Sequence, residues 1–268
     1  MSRRRIAALL AVAAGVPALV LGVEVLLARS TGGRLDDELG ERPRQELLRA
    51  GDRPVQVIWL GDSTTTGVGA DPASDGMAWR VARDLTDGPV SLTVLGRSGD
   101  QVHEVLDHQL PQLADVLRPG RDLVVLVSIG ANDVTALTRR PTFQDRYRTM
   151  VERIREVLEG HGAPDAPVVL VGVPALGTAP RLLPPLRQLA GARASQLDDV
   201  IADVARDVGA HHVDLAARTG PVFASDPARY FAGDDYHPSS AGHAVWADAV
   251  VASIRDARVP IGGPVSPR

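Results

Sequence analysis

The sequence predicts an α/β fold, a three-layer α/β/α sandwich on a five-stranded parallel sheet, and three observations carry the prediction. Five short apolar runs rich in β-branched residues recur along the chain, at 55–60, 90–95, 123–129, 168–173 and 212–215. The central runs are continuously apolar rather than alternating, as in parallel strands covered on both faces. Helix-length segments separate them, and strands alternating with helices imply right-handed crossovers within one parallel sheet. Hydrophobic residues at 44% and charged residues at 23% fit a globular chain and exclude a disordered, collagen-like or multi-span composition.

Taken in order, the chain opens with Arg3, Arg4 and Arg5 before an uncharged run from Ile6 to Val23, and apolar character resumes after Glu24 through Ala28. At about 1.5 Å per helical residue this stretch reaches across a hydrocarbon layer of roughly 30 Å. The Arg cluster belongs on the cytoplasmic side. The apolar run exceeds the length usual in a cleaved signal peptide, and Val25 to Ser30 offers no small-x-small cleavage site. Residues 1–30 therefore read as an N-terminal signal anchor in preference to a cleaved signal peptide. Either reading places the remainder outside the cytoplasm, membrane-anchored or secreted.

Residues 31–53 are charged and turn-forming and read as a tether, with a short helix near Gln45 to Arg49. The folded domain is expected over 54–258, with helices over 78–85, 101–117, 143–158 and 185–208. A last helix is capped by Ser239 or Ser240 and buries Val245, Trp246, Ala249, Val250 and Ile254. Residues 259–268, rich in Pro and Gly, form a loose tail. A monomer is expected.

Composition removes whole classes of chemistry. All 29 basic residues are Arg, so Schiff-base and P-loop lysine chemistry is excluded. Cys is absent, which excludes disulfides, thiol nucleophiles and Cys-ligated zinc. A net charge of −4 supplies no broad basic surface for nucleic acid. No His pair has a metal-ligand spacing with carboxylates, and neither a metal nor any other cofactor is expected.

Ligands of parallel α/β sheets bind beyond the carboxyl ends of the strands. The first strand ends in Leu60-Gly61-Asp62-Ser63, the second in Leu95-Gly96-Arg97-Ser98-Gly99-Asp100 and the third in Ile129-Gly130-Ala131-Asn132-Asp133; Asp234-Asp235-Tyr236-His237-Pro238 follows the fifth. A hydroxyl becomes a nucleophile when a base takes its proton, and the base needs a carboxylate on its other nitrogen. His237 with Asp234 supplies both to Ser63, and Asp235 is a rival orienter. The Ser63 N–H, the Gly99 N–H and the Asn132 amide are three donors able to surround an oxyanion. Asp62 and Asp133 are expected to hydrogen-bond neighbouring backbone, and His243 to serve packing. Arg97 is a candidate contact for a polar or anionic substrate, and the loop from Thr64 to Met77 is expected to border the acyl pocket.

These four segments resemble the SGNH subgroup of the GDSL hydrolase family. Gly61-Asp62-Ser63 is similar to its first block, Gly99 to the second-block glycine, Asn132 to the third-block asparagine and Asp234-Asp235-Tyr236-His237 to the fifth-block Asp-x-x-His, whose spacing favours Asp234. One departure is that an Asn often found shortly before the second-block glycine is here Gly96 or Arg97. The resemblance implies a flavodoxin-like strand order 2-1-3-4-5 and metal-free hydrolysis of esters through an acyl-enzyme. It points to a serine esterase or lipase acting on lipid, short-acyl or acetyl-sugar esters, small molecules or envelope components. An acyltransferase or a non-catalytic envelope-binding protein on the same scaffold is the alternative. No Gly-x-Ser-x-Gly elbow occurs, which argues against the α/β-hydrolase route to the same chemistry.

Overall fold

The computed structural model describes residues 44–118 and 120–261. The segment read as an anchor or signal, most of the tether and the tail beyond 261 lie outside the described residues. Among those described, no helix is long and apolar enough to cross a membrane.

The sheet has six strands: β1 (Arg44–Arg49), β2 (Val55–Gly61), β3 (Val90–Val94), β4 (Leu123–Ser128), β5 (Val168–Val171) and β6 (His211–Val213). Their spatial order is β1-β3-β2-β4-β5-β6. The five expected parallel strands are β2 to β6, in the order 2-1-3-4-5. β1 is the addition. It pairs antiparallel with β3 and sets Arg44 opposite Val94. The expected short helix near Gln45 to Arg49 is therefore incorrect, and so is the limit of five strands.

The correction has a physical cause. Arg-Gln-Glu-Leu-Leu-Arg has no strand-like alternation, and tertiary partners decide its conformation instead. The Glu46 carboxylate accepts from Trp79 Nε1 (2.9 Å), and the Arg49 guanidinium donates to the carbonyls of Thr86 and Gly88 (2.6 and 2.8 Å). An edge strand tolerates such charges because one of its sides faces water.

β2 and β4, the two central strands, are almost wholly buried, which explains their richness in Val, Ile and Leu. One face of the sheet is covered by α2 (Met77–Asp84) and the long C-terminal helix α9 (Ser240–Asp256), which pack on each other. The other face carries α3, α5 (Arg140–Gly160) and α6 (Leu186–Val208). α3 has three parts, Val102–Glu104, a π-helical turn Val105–Gln109, and Leu110–Val116. Short helices α1 (Ser63–Thr66) and α4 (Ala131–Thr135) follow β2 and β4 directly, so the strand-end motifs open helices as they leave the sheet.

Besides α1 and α4, two further helices had no counterpart in the sequence reading: α7 (Leu215–Ser225) and α8 (Pro227–Tyr230). Gly220 and Pro221 inside α7 hide its periodicity. Its start is nevertheless capped, with Asp214 Oδ1 accepting from the Ala217 N–H (2.9 Å). α9 begins as expected, with Ser239 Oγ accepting from the Gly242 N–H (3.2 Å).

Candidate active site

The four motif segments meet at the carboxyl edge of the sheet. Ser63 is the first residue of α1, and its Oγ lies 3.0 Å from His237 Nε2. His237 Nδ1 lies 2.6 Å from Asp234 Oδ2. The carboxylate carries no proton to give, so Nδ1 holds the hydrogen and Nε2 is left as an acceptor facing the Ser63 hydroxyl.

The loop folds around that carboxylate. Asp234 Oδ1 accepts from the Tyr236 and His237 backbone N–H groups (3.1 and 2.9 Å), and the Ala232 N–H closes the turn on the His237 carbonyl (2.8 Å). Burial pushes the Asp234 pKa up, but bonding to the His237 side chain and the backbone donors outweighs it, leaving the group below its ordinary value. Asp234 is thus ionised at neutral pH. Asp235 is exposed with φ 57°, and its carbonyl accepts from the Arg181 N–H (3.0 Å). It turns the chain and does not reach the imidazole.

The three expected oxyanion donors belong to one connected assembly. Asn132 Nδ2 donates one hydrogen to the Asp100 carbonyl (2.9 Å), which fixes the amide and leaves the second hydrogen for a ligand. The same loop is tied to β2 by the Arg97 N–H on the Gly61 carbonyl (3.0 Å). Gly99 has φ 88° and is exposed, a backbone setting that a side chain would strain. Among the described residues the N–H groups of Ser63 and Gly99 have no protein acceptor. The departure at Gly96 also has a cause: a Cβ there would lie 1.8 Å from Thr65 Oγ1.

Asp62 and Asp133 behave as expected. Asp62 caps α1, accepting from Thr64 N–H and Oγ1 (3.0 and 2.9 Å), and Asp133 accepts from the Val102 N–H (3.1 Å). Burial raises the Asp62 pKa to about 6. His243, fully buried, accepts from the Met77 N–H at Nδ1 (3.1 Å) and donates from Nε2 to the Val68 carbonyl (3.0 Å). Desolvation lowers its pKa to about 4, so it is a neutral structural histidine. His211 and His212 bond to Ser253 and Asp198 instead of converging on a site.

Gln109 was not singled out from the sequence. Its Oε1 accepts from the Gly61 N–H (2.9 Å), while Nε2 donates to the Gly61 carbonyl (2.7 Å) and to Asp100 Oδ2 (2.8 Å). It is fully buried and sits at the end of the π-helical turn, joining the nucleophile strand to the Gly99 loop. Its signal was available: residues 102, 105, 109, 113 and 116 share one helix face, and 109 is the sole polar member.

A pocket adjoins Ser63, Asn132 and His237, lined further by Pro174, Leu176, Phe223, Phe231 and Trp246. The expected border, the loop after Thr64, contributes little beyond its first residue. That loop is drawn away to α9, where Ser240 Oγ accepts from the Asp71 N–H (2.9 Å) and His243 holds Val68.

With this geometry in place, comparison with known proteins is direct. The GDSL-like lipase/acylhydrolase family matches residues 59–245, which includes all four motif segments. The chain is 32% identical over 225 residues to a GDSL-like esterase of Mycobacterium tuberculosis, covering 81% of this chain and 67% of that one. A lipase/acylhydrolase from Enterococcus faecalis superposes with a TM-score of 0.57 at 21% identity, over 75% of this chain and 96% of the other. The acetylxylan esterase Axe2 of Geobacillus stearothermophilus gives 0.54 at 21% identity, over 74% and 93% respectively. Family and relative agree on ester hydrolysis, and the chain belongs to the GDSL-like lipase/acylhydrolase family of carboxylic ester hydrolases.

Proposed function

We propose that the enzyme cleaves carboxylic esters with Ser63 as nucleophile, His237 as general base and acid, and Asp234 as the carboxylate that orients and stabilises the imidazole. The observation that carries this reading is the continuous chain Ser63 Oγ, His237 Nε2, His237 Nδ1, Asp234 Oδ2, with separations of 3.0 and 2.6 Å.

His237 Nε2 takes the Ser63 proton as Oγ bonds to the ester carbonyl carbon. The carbonyl oxygen, now negative, accepts from the Ser63 and Gly99 N–H groups and the second Asn132 amide hydrogen. The tetrahedral adduct collapses, the C–O bond to the alcohol breaks, and the imidazolium returns its proton to the departing oxygen. Water then attacks the acyl-Ser63 by the same route, and the acid leaves. Throughout, Asp234 stays ionised and keeps Nδ1–H directed at itself, so Nε2 is always the nitrogen facing the substrate.

Ser63→Ala is expected to lower p-nitrophenyl acetate turnover by about 10⁴-fold or more. Circular dichroism should be unchanged, because the Ser63 hydroxyl makes no hydrogen bond beyond His237 among the described residues. Retention of activity in that variant would refute the assignment.

We also infer that the N-terminal apolar segment carries the domain across the membrane and holds it there. β1 enters the sheet at Arg44 opposite Val94, at the carboxyl end of β3, which is the edge occupied by Ser63. The fifteen residues from Arg29 to Pro43 reach at most about 50 Å when extended. A tether attached at that edge keeps the active site within reach of envelope esters. Retention of activity in carbonate-washed membranes, lost when residues 1–30 are removed, is the expected result; release of the full chain by the wash would contradict it.

A further inference from the structure

Most of the exposed apolar bulk of the domain is gathered at the rim of the site. Among the described residues four large apolar side chains are exposed, and three of them, Leu137, Leu183 and Leu189, stand at the carboxyl edge of the sheet, after β4 and β5. The fourth, Leu47, lies on β1 opposite Ser91, towards the amino end of β3. We propose that the rim docks the domain on an anionic lipid surface, its leucines at the acyl boundary and its arginines at the headgroup phosphates, so that the ester is drawn from the membrane; the choice of substrate source rests on Ser63 being the nucleophile.

Hydrogen bonds place the three leucines around one opening. Leu137 sits in the left-handed turn that follows α4, with φ 58°, and the carbonyls on either side of it, Val134 and Thr138, both accept from the Arg193 guanidinium of α6. Leu189 is four residues before Arg193 and so lies on the same face of α6. The Leu183 carbonyl accepts from the Arg187 N–H (2.8 Å), which sets Leu183 one turn ahead of that helix. The chain on the near side of both leucine-bearing segments belongs to the pocket, whose lining includes Asn132 before Leu137, and Leu176 and Ala179 before Leu183. A lone exposed leucine needs no explanation, but three around one opening form a patch.

Charge around the patch selects the partner. The stretches Val134 to Gln144 and Pro174 to Leu197 hold five arginines, Arg139, Arg140, Arg181, Arg187 and Arg193, and no carboxylate, in a chain whose net charge is −4. Arg187 and Arg193 brace the rim through the Leu182 and Val134 carbonyls (2.6 and 3.2 Å), and Arg139 and Arg140 are exposed beside Leu137. Asp235 is an exposed carboxylate at this rim, where its carbonyl accepts from the Arg181 N–H, and the arginines outnumber it. Leucines flanked by arginines suit the interface of an anionic bilayer, where the apolar groups reach the acyl boundary and the guanidiniums meet phosphate. A second copy of the chain would set these arginines against their own kind. The chain also leads from a stretch apolar enough for a bilayer, Ile6 to Val23, into the edge that carries the patch, where β1 begins with Arg44 opposite Val94.

The chain lacks Cys, so a single introduced Cys carries a single environment-sensitive dye. The full chain is labelled at Leu137→Cys, Leu183→Cys or Leu189→Cys and studied with vesicles of phosphatidylcholine and phosphatidylglycerol. Asp165→Cys, exposed before the amino end of β5, is the reference. The three rim dyes are expected to shift to the blue and to be quenched by doxyl-labelled lipid, less so in phosphatidylcholine alone, while the reference dye stays as in water. In a second arm, Leu183→Asp with Leu189→Asp should lower hydrolysis of p-nitrophenyl palmitate carried in the vesicles at least tenfold and leave p-nitrophenyl acetate in solution within twofold of wild type. Rim dyes that shift no more than the reference overturn the proposal, as does an equal shift in phosphatidylcholine alone. A shift without vesicles that grows with protein concentration, the mark of a second copy, overturns it too. Equal losses on both esters, or a wild type active on acetate and inert on the vesicle ester, overturn the lipid source. Failure of the catalytic reading looks different: no turnover of either ester and no fluorophosphonate adduct on Ser63, with the dyes still reading the docking.

Discussion

Two adjacent carboxylates compete for one role, and individual atoms decide between them. Asp234 and Asp235 both precede His237 in one loop, but only Asp234 Oδ2 approaches the imidazole, at 2.6 Å. Asp234→Asn keeps the shape but presents an amide that no longer fixes the Nδ1–H tautomer. Its kcat is expected to fall about 10⁴-fold with KM little changed. Asp235→Asn should stay within twofold of wild type, because Asn tolerates the left-handed backbone and the side chain reaches nothing reactive. Steady-state kinetics on both variants checks the pair, and equal losses would contradict the assignment.

A second residue-scale prediction concerns pH. The His243 pKa falls on folding, so between about pH 6.5 and 4 the unfolded chain binds a proton the folded one refuses. Stability from this group is full above 6.5 and is lost as pH falls through that window. The Asp62 pKa rises to about 6, so between 3.8 and 6 the folded chain binds the extra proton and stability is lost as pH rises. The two slopes are opposite and nearly cancel. His243→Gln should unmask the Asp62 slope, making the variant gain about 2–3 kcal/mol relative to wild type on going from pH 6.5 to 4. Urea midpoints at the two pH values measure this, and an unchanged difference between variant and wild type would show that the His243 burial effect does not operate.

At the scale of elements, the site depends on how α3 is held against β2. The π-helical turn ends in Gln109, whose amide mimics a neighbouring strand by pairing with both backbone groups of Gly61 and then reaches Asp100. Asp100 in turn receives the Asn132 amide. Gln109 thereby joins the loops that carry the three proposed oxyanion donors. Gln109→Leu is near in volume but leaves the Gly61 N–H unpaired and removes the Gln109 donor from Asp100 Oδ2. The expected result is a 10- to 100-fold lower kcat with KM within a factor of three, since these donors act on the developing charge. Thermal unfolding alone would register a merely structural role; loss of stability with kcat intact would contradict the positioning role.

Elements also mark what could be read in advance. β4 and β5 were legible because burial on both faces forces nearly continuous Val and Leu, and the motif loops were legible because they begin where the apolar runs stop. β1 was not, because its strand conformation comes from β3, Trp79 and the Thr86 and Gly88 carbonyls, all distant in sequence. α7 was hidden by Pro221, and with it the Phe223 wall of the pocket. The loop from Thr64 to Met77 was misplaced because its small residues gave no hint that His243, some 170 positions away, would draw it to α9.

Over the whole molecule, the parallel sheet gathers residues from opposite ends of the chain, Ser63 after β2 and His237 before α9, at a single edge. The antiparallel β1 starts at that same edge with Arg44 opposite Val94, so the proposed chemistry and the proposed attachment share one side of the domain. The central claim is that this edge holds a serine nucleophile activated by His237. Peptide mapping by mass spectrometry after reaction with a fluorophosphonate tests it most directly. One adduct on Ser63 in the wild-type chain, lost or slowed at least 10³-fold in His237→Ala, is the predicted result. An adduct on another residue, or unchanged labelling without His237, would contradict it.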